Sequence, residues 1–297
     1  MSNKVLVTGA KGQLGQSIHD LHGYYSDFDF VFTDVHGLDL SDTNQIKNFL
    51  SQNSFNVVIN CAAYTAVDEA ESDQELAEQI NHLAVKTLAE VAKEQNITLI
   101  HISTDYVFDG QNYRPYQEQD TTAPRGVYGA TKLKGEQAFS NINPNGCMIR
   151  TSWVYSEHGN NFVKTMLRLG KEREKLGVIF DQVGTPTYAQ DLARAILVII
   201  SNDDHAAILE SSQAEDKVFH FSNEGVCSWY DFAKTIFELS NIDCRVNPIQ
   251  TKDYPTPASR PHYSVMNKHK IKYTFDLSIP YWKDSLQKCL SILKDQN

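Results

Sequence analysis

The stretch Lys4-Val5-Leu6-Val7-Thr8-Gly9-Ala10-Lys11-Gly12-Gln13-Leu14-Gly15 decides how this chain folds. Its first five residues are a compact apolar run that stops at glycine, which predicts a buried strand over Lys4–Thr8. Three glycines spaced Gly9-x-x-Gly12-x-x-Gly15 then open a helical pattern over Gln13–Leu21. Strand, tight turn and helix start together make a cradle for a pyrophosphate. The glycines let backbone approach the ligand closely, and the helix N-terminus offers free N–H groups and a positive dipole. In this context the triplet predicts a dinucleotide site that uses Gly9, Lys11, Gly12, Gln13, Leu14 and Gly15.

Outward from this point, strands and helices alternate. Strands are predicted at Phe28–Thr33, Asn56–Asn60, Ile97–Ser103 and Gly146–Thr151, and helices at Asn44–Leu50, Glu75–Glu94 and Tyr128–Phe139. Leu76, Ile80, Leu83, Leu88 and Val91 recur at helical spacing in the long helix. Near-continuous apolar strands between helices mean a parallel sheet covered on both faces. The expected fold is therefore α/β, a Rossmann-type doubly wound parallel sheet. After residue 152 the alternation loosens, with helices at Asn161–Glu172, Ala189–Ile200, Trp229–Leu239 and Lys283–Leu293. Short strands at Val178–Phe180 and Val218–Phe221 and a proline-rich loop over Tyr254–His262 complete this half. The expected division is 1–152 for dinucleotide binding, joined by later segments near 176–200, and 153–297 for a smaller C-terminal substrate-binding lobe interleaved with it. Ligands should meet the carboxyl edge of the sheet.

The chain has 297 residues, 41% hydrophobic and 22% charged, and a formal net charge of −10. That charge argues against nucleic acid or an anionic membrane as the main partner. Five scattered cysteines without a C-x-x-C pair make a disulfide framework or a zinc site a poor fit. The N-terminus does not read as a signal peptide and no apolar run reaches spanning length, so a cytoplasmic protein is expected.

On the cofactor side, Asp34 follows the second strand where a carboxylate usually holds the adenosine ribose. It favours NADH over NADPH, whereas Lys11 pulls the other way, so the cofactor is NADPH or NADH. Asp39 and Leu40 lie near the adenine side. The small residues of Asn60-Cys61-Ala62-Ala63-Tyr64-Thr65 would let the cofactor pass close to the sheet, which brings in Ala62, Ala63 and Tyr64.

On the chemical side, the fourth strand ends Ser103-Thr104-Asp105-Tyr106, and the next helix opens Tyr128-Gly129-Ala130-Thr131-Lys132. Residues four apart share a helix face, so Tyr128 and Lys132 lie side by side. Hydroxyl, phenol and ammonium in this order are the parts of a carbonyl-reducing site, with Tyr128 giving a proton to the substrate oxygen. A free phenol has a pKa near 10, so acting near neutral pH asks for a preference of about 4 kcal/mol for the phenolate. Lys132 is the expected source of that acidification. Trp153 offers a stacking platform for a sugar or base. Arg260 could grip a diphosphate. Asn161 and Gln182 could supply polar contacts from the small lobe, whereas His101, inside a strand, reads as a satisfied core histidine.

The chain here resembles the extended short-chain dehydrogenase/reductase superfamily, and within it the reductases that make dTDP-L-rhamnose from a 4-keto sugar nucleotide. The segments that carry this are Thr8–Gly15, Ala62–Glu71, Ser103–Gly110, Tyr128–Lys132, Arg150–Tyr155, Gly159–Phe162, Asp181–Thr187 and Arg260-Pro261. The resemblance implies Tyr128 as proton donor, Lys132 on the nicotinamide ribose, and Thr104 tuning the phenol. It also places Thr104, Asp105 and Trp153 against the sugar nucleotide; Tyr106, Val67, Asn161 and Arg260 complete the expected substrate side. Dehydratases of this superfamily carry Asp-Glu after the threonine, and here Tyr106 stands in place of that Glu. Some relatives hold magnesium at a dimer contact through an acid in the first helix. Gln16-Ser17-Ile18-His19 has none, so no metal is expected, and the chain would be a monomer or a homodimer. Another sugar-nucleotide reductase or epimerase, or a non-catalytic regulatory subunit like that of methionine adenosyltransferase, remains an alternative reading.

Overall fold

The computed structural model describes residues 3–295. Six parallel strands form the main sheet: β1 (Asn3–Thr8), β2 (Phe28–Phe32), β3 (Val57–Asn60), β4 (Thr98–Thr104), β5 (Gly146–Thr151) and β6 (Val218–His220). Their order is β6-β5-β4-β3-β1-β2, so the chain reverses direction across the sheet at β1 and β3. That switch point leaves a crevice at the carboxyl edge, which is where open α/β sheets bind ligands.

The sheet is apolar on both faces because each face has its own helices. Val5 and Val7 of β1 point into a core completed by the helices Gln13–Leu21, Ala189–Ser201 and His269–Phe275. Leu6, between them, points the other way, into a core with Ile46, Leu88 and Phe139 from helices on the opposite face. This period-two division explains why the strand reads as an unbroken apolar run.

The long helix expected at Glu75–Glu94 spans 74–94 but is not uniform. An α-helical turn at Gln74–Glu78 passes through a π-helical turn at Gln79–Leu83 before resuming at Ala84–Glu94. The wider turn shifts the buried face, so Ala77 and Asn81 are inside while Leu76 is exposed. The simple helical spacing that included Leu76 is corrected by this turn.

The small lobe has its own core of Tyr155, Val163, Tyr188, Phe232, Trp282 and neighbours. Strand Lys175–Ile179 pairs there with Arg245–Ile249 and not with the main sheet. Of the stretch near 176–200, only the helix Ala189–Ser201 packs on the main sheet, against helix Gln13–Leu21. No helix is long and apolar enough to cross a membrane among the described residues.

Candidate active site

A cleft of about 550 Å³ opens at the switch point. Its floor is the glycine turn. Gly9 has φ of +65°, and a Cβ there would lie 2.7 Å from the Ala62 nitrogen. Gly15 faces the turn and not the cleft. A Cβ on it would lie 2.4 Å from the Gly9 carbonyl oxygen, so it sets how closely helix Gln13–Leu21 seats on the turn. These positions tolerate only glycine, and they leave a bare backbone surface shaped for a pyrophosphate. The residues present therefore fit a dinucleotide.

Of the residues singled out for the cofactor, Gly9, Lys11, Gly12, Gln13, Leu14, Asp34, Asp39, Leu40, Ala62, Ala63, Tyr128 and Lys132 line this cleft. Tyr64 does not. Its backbone is held from behind by Asn81, whose Oδ1 accepts from Tyr64 N at 3.0 Å while its Nδ2 donates to Tyr64 O at 3.1 Å. The cleft also takes Val35, Leu38, Thr65, Ile80, Val154 and Asn160. Thr65 belongs to the small-residue stretch already noted, whereas apolar Val35, Leu38, Ile80 and Val154 carry no chemical signal in the sequence and act here only through position.

Lys11 forms an ion pair with Asp34, although Lys11 is largely exposed. This hydrogen bond, reinforced by the backbone N–H of His36, holds the Asp34 carboxyl below its usual range. The two side chains expected to favour opposite cofactors thus meet at one end of the cleft.

Tyr128 and Lys132 both reach the cleft wall from the helix Val127–Ile142. Asn81, at the π-helical turn, donates to Thr131 Oγ1 at 3.2 Å between them. A Cβ on Gly135 would lie 2.2 Å from the Asn81 carbonyl oxygen, so the helix sits hard against that turn. Lys132 is 1% exposed and donates to the Ile102 carbonyl at 2.6 Å, with His101 Nε2 at 3.5 Å. Burial lowers its pKa to about 8, against the opposing pull of Glu136 one turn further on. Glu136 is itself buried and clamped: Arg150 donates to both its oxygens at 2.9 and 2.7 Å, and Ser103 Oγ donates at 2.5 Å. His101 is fully buried, and burial together with the Lys132 charge keeps it neutral.

The expected acidification of the phenol is not what the structure shows. Burial raises the Tyr128 pKa to about 12, the Thr104 hydrogen bond opposes this, and the Asp105 charge adds to it. The Lys132 ammonium, for its part, donates to the Ile102 carbonyl.

The expected substrate residues are not among those that line the cofactor cleft. Thr104 donates to Asp105 Oδ1 at 3.1 Å, and the Ser264 hydroxyl also bears on this buried carboxylate. Burial pushes Asp105 up to about 6. Tyr106 packs edge-on to Tyr128 with ring centres 5.5 Å apart. Val67 precedes Asp68, which holds Arg260 by two hydrogen bonds of 3.0 and 2.7 Å. Arg260 is thus already committed to a carboxylate. Trp153, in a left-handed conformation at φ 48°, stacks on Trp229 at 3.6 Å, so that neighbour covers one of its faces. Asn161 departs furthest from expectation. It caps the helix Phe162–Glu172 and spends its amide on Gln13 Oε1 at 2.9 Å and Ser156 O at 2.8 Å. It ties the lobe to the glycine turn. Gln182 is likewise turned inward, donating to Thr251 Oγ1 at 3.2 Å. Among the described residues no group of three metal-ligating side chains gathers in one place.

Comparison with known proteins adds the following. The family described as the RmlD substrate binding domain matches residues 3–294. The chain is similar to dTDP-4-dehydrorhamnose reductase of Aggregatibacter actinomycetemcomitans, 39% identical over 291 residues, covering 96% of this chain and 97% of that one. The Escherichia coli (strain K12) protein of the same name is 39% identical over 302 residues, covering 97% of each. The crystal structure of a dTDP-4-dehydrorhamnose reductase from Bacillus anthracis in complex with NADP superimposes with a TM-score of 0.90 at 36% identity, over 98% of this chain and 100% of that one. A dTDP-glucose 4,6-dehydratase from the same organism shares the fold at 16% identity, with a TM-score of 0.80.

Proposed function

The chain belongs to the RmlD substrate binding domain family, and from that membership we propose that it reduces the 4-keto group of dTDP-4-dehydro-L-rhamnose to give dTDP-L-rhamnose. NADPH or NADH is the reductant. The observation that carries this reading is that one cleft is lined by the glycine turn, Tyr128 and Lys132 together.

Reduced nicotinamide, when bound, supplies the hydride. The chain supplies the proton and its placement. Tyr128 holds a proton on its phenolic oxygen at neutral pH, since burial raises its pKa, and passes it to the oxygen at C4. An alkoxide is a much stronger base than a phenolate, so in this direction the transfer runs downhill without an acidified phenol. Thr104 sits beside the phenol and partly offsets the rise in its pKa. Lys132, buried beside the cleft, places a positive charge toward the ribose side. Asp105, Tyr106 and Val67 form the sugar side; Arg260 reaches the diphosphate by exchanging Asp68 for it, and Trp153 contacts the ligand.

Among the described residues, the proposed cofactor part comprises 3–152 together with 189–201, 218–220 and 269–275, and the remainder of 153–295 is the substrate lobe. The reading extends to a cytoplasmic enzyme, a monomer or homodimer, without nucleic-acid or membrane partners. The net charge of −10 argues against nucleic acid or an anionic membrane as partner. The test is to give the purified chain NADPH and the 4-keto sugar nucleotide, and to follow nicotinamide oxidation and the appearance of dTDP-L-rhamnose. Tight cofactor binding with no turnover would reject the reading.

A further inference from the structure

We propose that Glu71 is a positioning residue for Tyr128, holding the N-terminus of the helix that carries the phenol. This rests on the reading of Tyr128 as proton donor. The first N–H groups of any α-helix lack partners within it, and the residue just before the helix usually caps them. Here that residue is Gly126, which has no side chain to do so. The Val127 N–H instead donates to Glu71 Oε1 at 2.9 Å, from a residue 56 positions upstream. Gly126 also makes the room: a Cβ on it would lie 2.7 Å from the same carboxylate oxygen. A carboxylate at a helix start is further favoured by the macrodipole.

The position of this bond is what gives it functional weight. Tyr128 is the residue after Val127, ahead of the point where Asn81 grips Thr131. Asn81 and the Glu136–Arg150 pair fix the middle of the helix, while Glu71 fixes the end that bears the phenol. Glu71 is placed firmly enough to act in this way. It lies on the short helical turn Glu69–Glu71, beside the fully buried Ala70, and Gln74 Nε2 donates to its carbonyl at 3.2 Å. The segment just before it is tethered as well, because Asp68 Oδ1 accepts from Ala258 N at 3.1 Å in addition to Arg260. A cap this close to the reacting group controls the geometry of proton transfer, where a displacement of about 1 Å costs on the order of 100-fold in rate.

The experiment compares full-length wild type, Glu71→Ala and Glu71→Gln. Glu71→Ala should lose about 10- to 100-fold in kcat, with cofactor affinity unchanged and melting temperature lowered by only about a few degrees. Glu71→Gln should recover most of kcat, because an amide oxygen still accepts the Val127 N–H. Tyrosine labelled with carbon-13 at Cζ gives a second readout that does not depend on turnover. The Tyr128 resonance, assigned by its loss in Tyr128→Phe, should move in Glu71→Ala and return in Glu71→Gln. Absence of turnover in wild type would reject the reduction while the resonance still judged the positioning. Glu71→Ala with unchanged kcat and an unmoved resonance overturns the proposal. So does a Glu71→Gln variant as impaired as Glu71→Ala, or a loss that falls equally on cofactor affinity.

Discussion

Lys132 Nζ donates to the Ile102 carbonyl at 2.6 Å, placing the one buried ammonium of the cleft against the end of a strand. Burial there lowers its pKa from 10.5 to about 8. The ammonium proposed to bind the ribose is therefore present below pH 8 and lost above it. Initial-rate pH profiles should show kcat/KM falling as pH rises through about 8, and Lys132→Arg, which stays charged, should flatten that limb. The sign for stability is opposite. Between pH 8 and 10.5 the unfolded chain binds the extra proton, so stability rises with pH in that window.

Tyr128→Phe removes the proton donor and leaves the cleft wall in place. The expected loss in kcat is about 10²- to 10⁴-fold, with cofactor affinity held within twofold in a fluorescence titration. Near-full activity in this variant would remove Tyr128 from its role.

The Lys11–Asp34 pair lines the cleft proposed for the dinucleotide, and we propose that it reads the 2′-position of the adenosine ribose. Lys11→Ala leaves Asp34 alone there and should raise KM for NADPH about tenfold or more with little change for NADH. Asp34→Asn should shift preference toward NADPH. Parallel KM changes for both cofactors would show that the pair does not discriminate.

Asp105 has a folded-state pKa near 6 against 3.8 unfolded. The folded chain binds more protons between those values, so stability falls as pH rises through the window, and the full penalty stands above pH 6. Asp105→Asn should therefore be more stable than wild type at pH 8 by up to about 3 kcal/mol. The two should be nearly equal at pH 4, and urea unfolding at both pH values checks this. A gain that is the same at both would assign the effect to packing.

Glu136→Ala strands the Arg150 guanidinium, which is 5% exposed and has Glu136 as its anionic partner. Removing one member of a buried pair costs about 3–5 kcal/mol, so this variant should unfold at markedly lower denaturant. Glu136→Gln should recover part of that, since its amide oxygen still accepts from Arg150.

The sequence by itself determined the parallel sheet, because apolar runs such as Lys4–Thr8 and Gly146–Thr151 and the helical patterns between them are local signals set by backbone period. It also determined the glycine turn, whose backbone needs are met by one residue type, and the pairing of Tyr128 with Lys132 on one helix face. Only the tertiary structure decided what those side chains meet. The Lys132 ammonium meets the Ile102 carbonyl, and burial outweighs the other influences on the Tyr128 phenol. Asn161 is consumed by a helix cap and by Gln13, and Arg260 by Asp68. Glu71 reaches a helix 56 residues away. Hydrogen bonds and desolvation act between residues distant in the chain, and no spacing in the sequence encodes which polar atoms burial will bring within three ångströms of one another.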